Sequence, residues 1–135
     1  MIIARFGSSI AAFLIAVIFL AGTAFAQGLT PMKREGVTAG PAKAFYVAVR
    51  NPYDRPMSFS ITPVETDFET LASRAKARPH RVRLGAQKTR RVILLFEIPQ
   101  NAKERTIALC VQPEEPLGSV VTRVCGTYTA RRVGG

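Results

Sequence analysis

The sequence has no tryptophan, one histidine and two cysteines in 135 residues. Acids are scarce too, 9 against 19 lysines and arginines. Each shortage excludes something. One histidine and two cysteines cannot furnish four zinc ligands without carboxylates. His80 is the single candidate for a histidine-based triad, and no serine or aspartate spacing makes it a general base. Glu65, Asp67 and Glu69 lack the glycine and the further oxygen donors of a calcium loop. They read as a solvated loop, as do Glu114 and Glu115 between two prolines. The composition therefore points away from an enzyme, a metal site and a cofactor. There is no internal repeat and no low-complexity tract.

What is present is a strong positive balance and an ordinary apolar content. The formal net charge is +10 and 47% of residues are hydrophobic. That fraction suits a folded domain and argues against wholesale disorder. The length suits one domain, or one domain and a processing segment.

The first 26 residues read as an export signal. Arg5 is followed by the apolar run Ile10 to Ala21 and then by Ala24-Phe25-Ala26, a small-residue cleavage pattern. Cleavage is expected before Gln27, leaving residues 27–135 as the mature domain. The alternative is an uncleaved inner-membrane anchor over residues 9–26, since a span needs about 20 apolar residues. Export places the chain in the periplasm, where a cysteine pair forms a disulfide.

The rest of the chain reads as short strands. Residues 29–41 form an edge strand with an irregular continuation. In Ala44 to Arg50, Phe45, Val47 and Val49 share one face. Asn51 to Pro56 is a turn. Met57 to Thr62 alternates again and Pro63 is expected to end it. Ser58 and Ser60 fall on its outward face. Glu65 to Ala77 is either a short helix, with Thr66 and Glu69 as a capping box, or a loop with an edge strand. Arg81 to Leu84 alternates basic and apolar. In Arg90 to Glu97, Val92, Leu94 and Phe96 face inward, which leaves Ile93 and Leu95 outside. Residues 106–112 and 120–131 make a closing pair. About seven such strands predict an all-β, immunoglobulin-like sandwich.

The cysteines fix one register. A hairpin centred between Leu117 and Gly118 sets Cys110 opposite Cys125. It also pairs Val111 with Val124, Leu109 with Gly126 and Ile107 with Tyr128. Those pairs lie on the face opposite the cysteines. A bridge there closes a short loop and adds about 3 kcal/mol.

Three stretches carry a family resemblance. They are Phe45-Tyr46-Val47-Ala48-Val49-Arg50-Asn51-Pro52 with Pro56 behind it, Pro79 to Val92 with Leu84 inside it, and the closing Tyr128-Thr129-Ala130-Arg131. In this order they resemble the N-terminal immunoglobulin-like domain of periplasmic pilus-assembly chaperones, the PapD-like family. The resemblance covers residues 29–132. It implies a two-domain chaperone, whereas this sequence ends after one domain. It also implies a clamp on a subunit's terminal carboxylate, made by an arginine on the first strand and a lysine on the closing one. Arg34 is nearest the first position, and Arg123 or Cys125 stands near the second.

Two surfaces remain. Arg74, Lys76, Arg78, Arg81, Arg83, Lys88, Arg90 and Arg91 fall within 18 positions that contain no acid. Such a run is either a solvated face or an anion-binding one. Outward Ile93 and Leu95 mark either a covered face or a partner-binding one, where an edge strand accepts another strand. The expected function is non-catalytic protein binding in the cell envelope, chaperone-like or pilus-related, by edge-strand addition. The partner would be a pilus or secreted subunit. The alternative is an envelope component whose basic face binds anionic lipid or glycan. Nucleic acid is not an expected partner for an exported chain. The sequence sets no oligomeric state.

Overall fold

The computed structural model describes residues 28–115 and 122–134. The expected export signal, the centre of the closing turn and positions 120–121, where the last strand is expected to begin, lie outside those residues. The described residues form nine strands. They are β1 Leu29–Thr30, β2 Lys33–Thr38, β3 Ala42–Arg50, β4 Met57–Val64, β5 Ala75–Arg78, β6 Arg81–Leu84, β7 Thr89–Glu97, β8 Glu104–Pro113 and β9 Val124–Arg132. Four make one sheet, in the order β1-β3-β7-β5, and five make the other, β2-β9-β8-β4-β6. The architecture is the predicted immunoglobulin-like sandwich, with short switching strands raising the count above seven.

Alternation builds the core. Phe45, Val47 and Val49 from β3 and Val92, Leu94 and Phe96 from β7 are all buried. They meet Phe59 and Ile61 of β4, Ile107 and Leu109 of β8, and Tyr128 of β9. Phe45 sits at the centre, 5.8 Å from the rings of both Phe96 and Tyr128. With no tryptophan available, this aromatic group fills the space between the sheets. Each fully buried large side chain contributes about 1.5–3 kcal/mol.

The chain changes sheet at two prolines. β1 pairs with β3, and after Pro31 the chain crosses so that β2 runs parallel to β9. The Tyr128 hydroxyl donates to the Pro31 carbonyl at 2.6 Å. Gly126 lies beneath the crossing, where a Cβ would fall 2.8 Å from the Met32 carbonyl oxygen. The second crossing runs from β5 through Pro79 and His80 into β6. There the Ile61 amide donates to the His80 carbonyl at 2.8 Å. His80 is exposed and acts through its backbone.

One sequence expectation is corrected, and of the two readings of residues 65–77 the loop with an edge strand is the one found. Pro63 does not end β4, which continues to Val64 and pairs Pro63 with Leu109 of β8. β6 covers only Met57 to Ser60, so Pro63 lies on an edge where its missing N–H costs no ladder bond. Residues 65–74 form no helix. The Asp67 carboxylate accepts from the Glu69 and Thr70 amides and from the Thr70 hydroxyl, folding the segment into a turn. Those bonds, led by the Thr70 hydroxyl, hold the Asp67 carboxyl below its ordinary pKa. Phe68 takes a φ of 63° within the turn. Leu71, on the expected apolar stripe, is 71% exposed, so packing offers the helix nothing. Instead Arg105 bolts the loop down, bonding the Glu65 carboxylate and the carbonyls of Ser73 and Glu97.

Asn51 is the one buried polar or charged side chain among the described residues. Its amide donates to the carbonyls of Arg55, Leu84 and Gly85 at 2.8, 3.0 and 3.1 Å, and its oxygen accepts from the Tyr53 amide. The side chain thus ties the β3–β4 turn to the end of β6, with its polar atoms satisfied.

Candidate functional site

Cys110 and Cys125 are bridged and stand directly opposite one another, in the register the sequence predicts. Their Cα atoms are 4.1 Å apart. In an antiparallel pair that short spacing marks a site without mutual backbone bonds. The N–H and C=O of Cys125 therefore point away from β8. Two residues on, the same parity lets the Thr127 amide donate to the Met32 carbonyl at 2.8 Å. β2 pairs with β9 only from Thr127 onward. Among the described residues, the backbone of Cys125 has no partner on that side. Among the described residues the sheet thus has an open edge before Met32, with Arg123 exposed beside it.

Arg34 and Arg123 do not converge. Arg34 pairs with Tyr128, five residues beyond Arg123, which is roughly 16 Å along the strand at 3.3 Å per residue. Arg34 shares the side of the sheet that Tyr128 faces. Arg123 lines a shallow depression with Ser60, Thr62 and Cys110 on the outer face. A two-residue clamp from this pair is therefore corrected by geometry. Cys125 is committed to the disulfide.

Ile93 and Leu95 are 37% and 38% exposed, on the outer face as expected. β7, however, lies between β3 and β5, and both neighbours pair with residues 93–96. No strand can add at β7, so the edge expected near Ile93 and Leu95 is corrected. The outer edges available are those of β1, β5, β2 and β6, together with the start of β9 that β2 leaves unpaired.

The basic run does not make one face. Lys76 and Arg78 on β5 and Arg90 and Arg91 on β7 belong to the four-stranded sheet. Arg81 and Arg83 lie across the Pro79 corner on β6 of the other sheet. Arg81 pairs with Glu114 at 2.6 Å, and Arg83 reaches the Ser58 hydroxyl at 3.4 Å. Arg74 pairs with Glu97 at 3.7 Å. Lys88 is exposed in the turn after Gly85. On β5 and β6 the charges also blunt the edges against unwanted pairing. Among the described residues no three histidine, cysteine or acidic side chains gather as metal ligands would.

No protein-family model matches the sequence, and no curated protein does. Solved structures do match the fold. The E. coli chaperone DraB aligns at a TM-score of 0.63 and 19% identity, over 80% of this chain and 56% of its own. The Salmonella enterica SafA pilin complex with the SafB chaperone gives 0.63 and 15%, over 82% and 56%. The CsuC–CsuE chaperone–tip subunit complex of Acinetobacter baumannii gives 0.59 and 17%, over 83% and 58%.

The fold is that of the pilus chaperones. This chain spans a little over half the length of the chaperone-fold chains it matches. In the chaperone fold as it occurs here, the first strand switches sheets at Pro31 and the closing hairpin carries the disulfide. Sequence reasoning missed three residues that shape this region. Gly126 gave no signal, because its partner Met32 is remote in sequence. Asn51 stood out as a turn residue and as part of a resembling stretch, not as a buried anchor. Arg105 was one cation among many.

Proposed function

We propose that this protein is a non-catalytic, chaperone-like component of pilus assembly. It works in the periplasm and binds an exported subunit by accepting one of its strands. Residues 1–26 are its export signal and residues 27–135 its binding domain. The observation that carries the reading is the open edge of β9. Among the described residues the N–H and C=O of Cys125 have no partner there, on a strand tied to β8 by the disulfide. Main-chain bonds at such an edge supply affinity, and side-chain pockets supply selectivity. The pilus-chaperone fold adds support, since two of the matching structures are chaperones in complex with a pilin and a tip subunit. The split of the basic residues between two sheets weakens the lipid or glycan reading.

Photo-crosslinking tests it. A photoreactive residue at Arg123 should give a discrete adduct with an exported protein in intact cells, and one at Arg83 should not. Adducts at Arg83 and none at Arg123 would overturn the proposed edge.

A further inference from the structure

A second surface lies on the other sheet. The outward residues of its three long-paired strands fall into rows. Tyr46, Ile93 and Arg78 are opposed across β3, β7 and β5, and so are Ala44, Leu95 and Lys76. Arg91 stands opposite Ala48, its guanidinium 5.4 Å above the Tyr46 ring. The middle of the face is therefore apolar, with Tyr46 54% exposed, and its β5 side and one end are cationic. Glu97 is the one acid on these three strands, and Arg74 already pairs with it. Among the described residues Lys76, Arg78 and Arg91 have no acidic partner. A depression of about 620 Å³ runs along this side, lined by Arg74, Lys76, Arg78 and Leu95, with the Arg74-paired Glu97 at its margin.

We propose that this face docks an acidic, extended polypeptide segment of an exported partner. The site is distinct from the β9 edge and stands independently of it. Charge complementarity selects the occupant's sign, and spacing selects its form. Lys76 and Arg78 are alternate residues of one strand, so they repeat at about 6.6–6.8 Å. Alternate residues of an extended peptide repeat at the same distance. Glutamates of such a segment reach Lys76 and Arg78 with their carboxylates, while their methylenes and the intervening backbone rest on Ile93 and Leu95. A membrane surface fits less well, because Ile93 and Leu95 are only 37% and 38% exposed and offer little apolar area to insert.

The test uses the purified protein and a short labelled peptide alternating Glu and Val, with a Lys/Val peptide and a Glu/Ser peptide beside it. The Glu/Val peptide should bind, and high salt should weaken it. Lys76→Gln with Arg78→Gln should weaken it by about tenfold, the loss of two partly desolvated ion pairs. Leu95→Ser should weaken it as well, and Glu/Ser should bind less well than Glu/Val. Arg81→Gln with Arg83→Gln, on the other sheet, should leave it unchanged. All five positions are exposed, and unchanged melting curves confirm that each variant folds. The proposal is overturned if the Lys/Val peptide binds equally or if the Arg81/Arg83 variant loses as much. It is also overturned if phosphatidylglycerol vesicles bind this face while the Glu/Val peptide does not. Failure of crosslinking at Arg123 leaves each of these outcomes readable.

Discussion

Tyr128 and Pro31, separated by 97 positions, are joined by a 2.6 Å hydrogen bond from the phenol to the backbone carbonyl. The bond stands where the first strand leaves one sheet for the other. It fixes how far β2 extends along β9, and so where the open edge begins. Tyr128→Phe keeps the ring in the core and strands the Pro31 carbonyl. A loss of about 1–2 kcal/mol is expected, measured by urea unfolding.

The same residue gives a pH signature. Burial pushes the Tyr128 phenol up to about 12 from an ordinary 10.0. The folded state therefore holds its proton more tightly than the unfolded chain does. The sign follows from linkage: this contribution is complete below pH 10 and is lost as pH rises toward 12. Melting curves across that window should fall more steeply for the wild type than for Tyr128→Phe.

Gly126→Ala should damage the crossing from the other side. The added methyl would lie 2.7 Å from the Tyr128 hydroxyl and 2.8 Å from the Met32 carbonyl oxygen. One partner is backbone and cannot step aside. A cost of about 1–3 kcal/mol is expected. Amide exchange of Thr127, whose bond goes to Met32, should rise with it.

Asn51 offers a test of donation against size. Asn51→Asp keeps the shape but cannot donate to the carbonyls of Leu84 and Gly85. It should cost as much as Asn51→Ala or more, about 2–4 kcal/mol, because a buried charge joins the unpaired acceptors. Equal stability of Asn51→Asp and wild type would remove the proposed link between the turn and β6.

Removing the disulfide with Cys110→Ala and Cys125→Ala should cost about 3 kcal/mol, for a loop whose ends are 15 positions apart. Chemical denaturation of oxidised and reduced wild type should show the same difference.

These effects also mark what the sequence makes legible. Alternation in β3, β4 and β7 displays the core face directly, because a period of two needs no knowledge of partners. The cysteine register is legible because its two strands are neighbours joined by one turn. The crossings at Pro31 and Pro79 are not, since each depends on a strand remote in sequence. That is why Arg81 and Arg83 read as companions of Arg91, when the corner between them sets them on opposite sheets. It is also why Ile93 and Leu95 face outward as expected yet lie at no edge, since β5 occupies it. The turn at Asp67 was decided by three local hydrogen bonds that the capping-box pattern disguised. Arg34 and Arg123 are paired only by the family resemblance, and they diverge by sheet face.

Backbone amide exchange tests the central claim most directly. In the free protein the Cys125 amide should exchange quickly, despite sitting in a disulfide-bridged strand. On binding the subunit captured at Arg123, it should become protected, with the amides of β5 and β6 unchanged. A Cys125 amide already protected in the free protein, or protection appearing only on β5 and β6, would contradict strand addition at this edge.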